Sequence, residues 1–446
     1  MDFAQEVAVF GTSTSWTSLP SDVQERARDR LLDALSTASG SVVVRVPPWA
    51  AAAAAFVDGN STASGGSTVV GFPGGYSAEA AAFVNGVGVH SLLYEDVSLK
   101  SSDHPSAVIC PAALAAAEAV DAPRSRLLTA IAVGYETQLA LGDLAHAAMG
   151  RGFRTTSVFG VVGAAAAGAV IAELSEERFA TALALAANVS SGLMQAWAHG
   201  TNEPFLHAGA AASLGLLSVR VAQAGAQAAP TTFSGPNGYF AAYAGQPGAV
   251  VPPPGPPWQI LDISCKPYPI SGAKTTAVDS CLDLVSQGVK ASDIERIEAW
   301  LSSGAITPPG CNREAPYSNV TQAQDAAQFC IAAALAGKPM DALSTFFDEF
   351  DDPTVAELSH KISLVPEDGR QLGRIRVHLV DGTTRESEVD HRINQVPTVD
   401  SMRRKLEVLS VGLWSPQVAT GIGDWVAGKG AETVSTLSDL LRDLAA

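Results

Sequence analysis

The chain has 446 residues, of which 47% are hydrophobic and only 16% charged, and its formal net charge is −17. That is ample material for a buried core and for two or three domains. The acidic balance argues against a nucleic-acid partner, since binding a polyanion needs a basic face. Cys110, Cys265, Cys281, Cys311 and Cys330 show no CxxC and no zinc spacing, so they read as reduced thiols of a cytoplasmic protein. The N-terminus lacks the basic region of a signal peptide. The alanine-rich runs 50–55 and 161–172 are too short or too much like a buried core helix for a membrane span, so no membrane is expected.

In chain order, residues 21–39 open on Ser-Asp and carry apolar residues at helical spacing. Residues 65–75 form a glycine-rich connection without the lysine of a phosphate loop. Residues 77–93 predict a helix ending near Tyr94. Further helices are predicted at 109–120, 124–148, 157–173, 176–196 and 207–225, each bounded by Gly, Pro or a Ser/Asp cap. Such a run without alternating strands predicts an all-α domain. The proline- and glycine-rich stretch 245–258 marks a boundary. Beyond it, 294–303 and 373–380 alternate as half-buried strands do, and Asp381-Gly382 signals a hairpin into 383–390. Helices are predicted at 273–288, 321–336, 341–346 and 353–359, and in the tail at 399–409 and 432–445. The expected fold is mainly α: a large all-α helical domain (1–258 and 399–446) plus a smaller α+β domain (264–398). A cleft between such domains is the default place for a small-molecule site.

The stretch from Asn85 to Glu118 stands out. Small apolar residues at its two ends frame a polar loop with Tyr94, Glu95, Asp96, Lys100, Asp103 and His104. Loops held by rigid scaffolds are where catalytic groups tend to sit. The string NGVGVHS, the acidic pair Glu95-Asp96, HPS (104–106) and PAALAAAE resemble the MmgE/PrpD family. The resemblance continues in order through GYE (134–136), RGFRTTS (151–157), FLHAG (205–209) and CKPYP (265–269). It implies a large helical domain with an α+β lid, a homodimer, and chemistry like that of 2-methylcitrate dehydratases, cis-aconitate decarboxylases or iminodisuccinate epimerases.

Such chemistry needs a base or acid at carbon and a donor for developing negative charge. His104 is the expected acid/base: histidine titrates near neutrality, and Pro105 biases it toward a loop. It matches the histidine of the family's HPS motif. Lys266 matches a lysine that looks substrate-facing in the family, and it is expected to join His104 in catalysis. Tyr94, Glu95, Asp96, Tyr268 and Lys274 are expected around the substrate, with Glu95 or Asp96 free to orient a base or to cap a helix. Arg154 stands where the family commonly has histidine; arginine gives up proton transfer but can clamp a carboxylate. His207 stands at a helix start, with capping the favoured role. His90 reads as a core or supporting group, and His199 as a loop residue lining the same side. His146, His360, His378 and His391 read as structural or surface groups.

Departures from the resemblance matter. Leu93 stands where the family usually has aspartate, Val97 where it has a polar residue, Thr275 where it has histidine and Pro204 where lysine is common. Fewer polar groups would leave substrate carboxylates poorly compensated on burial. The expected substrate is therefore a small molecule less charged than methylcitrate or cis-aconitate. No GxSxG, no GxGxxG after a strand and no metal-ligand spacing occurs. The expectation is thus a cofactor-independent, metal-free lyase or isomerase. A pocket rebuilt for cyclisation or elimination in secondary metabolism, and a non-catalytic ligand-binding relative, are the alternatives.

Overall fold

The computed structural model describes residues 2–57, 66–368, 373–389 and 398–445. The chain divides into two compact units. The first comprises residues 1–193, 203–264 and 397–446, and the second 194–202 and 265–396. The short excursion at 194–202 into the second unit is unmarked by any composition shift.

The first unit is built from α1 (Phe3–Ser13), α2 (Ser21–Val43), α3 (Pro47–Phe56), α4 (Ala78–Ser91), α5 (Ser106–Ala119), α6 (Arg124–Ala140), α7 (Thr155–Ile171), α8 (Glu176–Val189) and α9 (Glu203–Gln223). Small residues set how close these helices come. A Cβ added at Gly86 would lie 3.0 Å from the Cα of Gly209, so α4 and α9 touch backbone to backbone. A Cβ at Gly134 would lie 3.1 Å from the carbonyl oxygen of Gly163, which brings α6 equally close to α7. Interiors packed to crystal density tolerate such contacts only without side chains. Among the described helices, α9 alone is long and apolar enough to cross a membrane by length and composition. Its Gly209 and Gly215 instead seat it against α4 and α7.

Several helix bounds depart from the sequence expectation. α7 begins at Thr155, two residues early, with Arg154 as its N-cap. α8 stops at Val189 rather than running to 196, because Ser190 turns extended (φ −65°, ψ 141°) and its hydroxyl donates back to the Ala187 carbonyl at 2.8 Å. α6 stops at Ala140, followed by a 3-10 turn (Leu141–Leu144) and a short helix (Ala145–Gly150). α9 starts at Glu203, so His207 lies in its second turn rather than at its start.

The second unit packs α10 (Thr275–Ser286) against a four-stranded sheet, and α11 (Ala327–Leu335) against α10. Its strands are β1 (Ile294–Leu301), β2 (Ile362–Pro366), β3 (Arg374–Leu379) and β4 (Thr384–Glu388), in the order β2-β1-β3-β4. β1 and β3 run antiparallel, as do β3 and β4, while β2 lies parallel to β1 with Ile297 opposite Ile362. Gly382 at φ +83° closes the β3–β4 hairpin, and Asp381 Oδ1 accepts the N–H of Thr383 at 2.8 Å. Ile294, Ile297, Ile375, Val377, Val278 and Phe329 form its core. The chain then returns to the first unit with α12 (Val399–Leu409), α13 (Pro416–Val426) and α14 (Val434–Arg442). The fold is mainly α with a smaller α+β unit.

Candidate active site

The GYE motif shows how the scaffold holds the site. Gly134 admits α7, Tyr135 Oη donates to Asp96 Oδ2 at 2.6 Å, and the Glu136 carboxylate accepts the N–H of Ile260 at 2.9 Å. Three consecutive residues thus fix a helix, the polar loop and the proline-rich segment.

The loop between α4 and α5 carries the chemistry. Leu93 turns the chain at φ +51°, a conformation that branched side chains rarely hold. After that turn, two consecutive carboxylates serve different partners. Glu95 Oε1 lies 3.0 Å from Nδ1 of His90 and 2.7 Å from Nδ1 of His104. The two imidazoles sit with centroids 4.8 Å apart. Asp96 is anchored elsewhere: Oδ1 accepts the N–H of Ser106 at 3.0 Å, Oδ2 accepts from Tyr135, and Arg30 Nη1 stands 3.7 Å away.

The partners assign the imidazole protons. Arg154 Nη2 lies 3.3 Å from His90 Nε2. A guanidinium can only donate, so Nε2 accepts and the His90 proton is on Nδ1, directed at Glu95. Nδ1 of His104 is also 2.9 Å from the carbonyl oxygen of Asp96. A carbonyl can only accept, so Nδ1 carries the proton here too, and the neutral ring's lone pair falls on Nε2. The three ligand atoms of His90, Glu95 and His104 lie within 4.8 Å of one another, a spacing open to a shared metal ion. Their chemistry favours hydrogen bonding: both Nδ1 atoms hold protons toward Glu95, and Arg154 sets a positive charge against His90.

His207 lies beside this cluster, half-buried on α9. Burial, then Arg154 and His90, pull its pKa down to about 4, so the ring is neutral at pH 7. Gly192 makes room: its added Cβ would collide with Ser157 Oγ and lie 3.3 Å from His207 Nδ1. The Gly192 carbonyl accepts the N–H of Arg154 at 3.0 Å, which ties the Arg154 backbone down.

Asp103 adds a pH dependence. It is buried, accepts from Ser101 Oγ at 2.9 Å, and burial pushes its pKa from 3.8 up to about 6. The folded carboxyl holds its proton more tightly than the unfolded one. Its contribution to stability is therefore full in acid and is lost as pH rises from about 4 to about 6. Asp103→Asn, which cannot ionise, is expected to gain on the parent by up to about 3 kcal/mol between pH 4 and 7. Urea denaturation at both pH values measures this; identical pH dependence in both proteins would show that Asp103 ionises normally.

Comparison with known proteins places these residues in a family. Residues 5–251 match the MmgE/PrpD N-terminal domain, and 268–409 match the MmgE/PrpD C-terminal domain. The chain belongs to the MmgE/PrpD family. It is similar to the cis-aconitate decarboxylase-like protein oryM of Aspergillus oryzae, at 31% identity over 49% of this chain and 46% of that protein. A cis-aconitate decarboxylase of Aspergillus terreus is 25% identical across 98% of this chain and 95% of the relative. The Homo sapiens cis-aconitate decarboxylase is 36% identical over 39% of this chain and 36% of its own length.

Within this MmgE/PrpD chain, Glu95, His104 and Arg154 come together, with His207 adjacent. Leu93 and Val97 are buried in the same loop. Several residues differ from the sequence expectation. Asp96 is a structural anchor rather than a substrate contact, because its two oxygens are taken by Ser106 and Tyr135. Arg154 was expected to clamp a carboxylate; its terminal nitrogens reach His90 and the Ser102 carbonyl. Tyr94 lies under Lys405, whose Nζ is 4.1 Å from the ring centroid. Lys274, expected to lend its charge to the pocket, is buried in the second unit against Asp325 at 3.2 Å, Cys311 and Ser271. Tyr268 Oη donates to Asp279 at 2.7 Å, and Lys266 is buried in the second unit. His199 also belongs to that unit, at the end of a short helix (Ala196–His199). His378 pairs with Glu298 on the sheet and His360 with Glu314 at the surface, while His391 lies outside the described residues.

The sequence reading of His90 as a core or supporting group left its partners open; the structure pairs it with Glu95 and Arg154. The signal of His90 was its place in NGVGVHS, five residues before Glu95.

Proposed function

We propose that this protein is a lyase that moves a proton at a carbon beside a carboxylate, with His104 as the acid/base. The observation that supports it is the single carboxylate oxygen of Glu95 held against both Nδ1 protons, which leaves the His104 lone pair on Nε2. A protonated His104 would present an N–H at Nε2, with Glu95 offsetting the imidazolium charge. In a decarboxylation, the bond to the leaving carboxylate breaks and its electron pair passes to the substrate carbon. That carbon takes the Nε2 proton and carbon dioxide departs. In an elimination Nε2 instead removes a carbon-bound proton, that electron pair forms the double bond, and the substituent on the next carbon leaves with its own bonding pair. These steps use side chains of this chain alone. The relatives' names support the decarboxylation branch. Leu93 and Val97, apolar in the loop that bears Glu95, support a substrate less charged than cis-aconitate.

The test is turnover in D2O with cis-aconitate and with simpler unsaturated mono- and dicarboxylic acids, following carbon dioxide release and carbon-bound deuterium. Deuterium in recovered substrate or product, absent with His104→Asn, is the expected result. Neither carbon dioxide nor deuterium from any of these acids would reject the lyase reading. Turnover of monocarboxylic acids alone would favour the rebuilt pocket.

A further inference from the structure

We infer that Lys405, on the helix that re-enters the first unit, is a positioning residue that fixes the Glu95 turn and, through it, both imidazoles. The inference rests on the acid/base role proposed for His104. The Lys405 side chain is only 8% exposed and its Nζ lies 2.7 Å from Asp33 Oδ1. The same Nζ donates to the carbonyl oxygen of Tyr94 and stands 4.1 Å from the centroid of the Tyr94 ring. One ammonium therefore holds the main chain and the side chain of the residue between the left-handed Leu93 and Glu95. Asp33, fully buried on α2, is the fixed point against which it pulls.

The arrangement suits an ammonium, which has three donors and forms short charge-assisted bonds. A ring face adds a weaker attraction for the same cation. The Tyr94 carbonyl sets the plane of the Tyr94–Glu95 peptide, and that plane sets where the Glu95 side chain starts. Glu95 Oε1 must meet two Nδ1 atoms at 3.0 and 2.7 Å at once, so a small rotation of the peptide loses one of them. Left-handed Leu93 is a conformation that persists only when its surroundings over-determine it. Lys405, 311 residues away from Tyr94 in sequence, supplies that constraint.

A purely structural role is the competing account: Lys405 would merely neutralise Asp33. Three variants separate the two: Lys405→Met, Lys405→Arg, and the double variant Lys405→Met/Asp33→Asn, which removes the buried charges together and keeps the protein foldable. Positioning predicts that the double variant loses kcat on the order of tenfold to a hundredfold, with KM little changed and an altered pH–rate profile. Lys405→Arg should recover part of that loss. The 15N spectra of the His90 and His104 rings should change in the double variant. A double variant with parental kcat and unchanged histidine spectra would overturn the proposal. If the parent protein itself shows no turnover and no deuterium exchange, the lyase reading fails separately; the histidine spectra then still decide whether Lys405 holds the turn.

Discussion

Replacing His104 by asparagine is expected to lower kcat by about 10²–10⁴-fold while leaving the fold intact. Asparagine keeps an N–H donor near the position of Nδ1, so Glu95 and the Asp96 carbonyl retain a partner. What it removes is the Nε2 nitrogen. The loss should fall on kcat rather than on KM, because the missing interaction belongs to the transition state. Steady-state kinetics on the substrate found in the D2O screen, with a thermal melt as control, measures both. Parental kcat in a folded His104→Asn protein would remove His104 from the chemistry and shift attention to His207, the neutral imidazole beside the cluster.

Arg30→Met is expected to be the most damaging change to stability, at about 3–5 kcal/mol. Arg30 and Asp96 are both fully buried, with Nη1 3.7 Å from Oδ2. Burial already pushes the Asp96 carboxyl up from its usual range, and Arg30 is the main opposing influence. Without the guanidinium, the carboxylate must either sit uncompensated or take up a proton. The double variant Arg30→Met/Asp96→Asn should recover much of the loss, since removing both charges is far less harmful than removing one. Urea denaturation of the single and double variants checks this. Equal destabilisation in both would mean that Arg30 acts mainly through its bond to the Ile263 carbonyl at 3.2 Å. Because Asp96 follows Glu95 directly, Arg30→Met should also disturb the imidazole pair.

The helical first unit was legible because its apolar spacing and its Gly, Pro and Ser punctuation are local signals. β2 was not: Ile362–Pro366 is a short apolar run ending in proline, and its strand character comes from pairing with β1, more than sixty residues earlier in the chain. The predicted overrun of α8 past Val189 has a local cause: apolar spacing continues through Ser190-Ser191-Gly192, while Ser190 itself turns extended. In the candidate site, Glu95 and His104 stand out in sequence through the family resemblance of a loop that an acidic pair and a proline mark. The division of labour between Glu95 and Asp96 was not visible, because it depends on Arg30 and Tyr135 arriving from two other helices. Arg154 likewise could be placed near the site but not on His90, since a side chain's choice of partner is settled by packing. Lys274 shows the converse error: a lysine near a promising motif found its countercharge in Asp325.

The backbone contact between Gly86 and Gly209 bears on how such a scaffold can diversify. Helices that already touch at their main chains can neither draw closer nor part without opening a void or a clash. Small side chains there leave no slack to trade for a differently shaped ligand. Novelty in specificity is therefore channelled into the segments these helices hold out, 92–104 and 151–154. Successive substitutions in those two stretches can redraw the ligand's surroundings while the frame beneath them stays put.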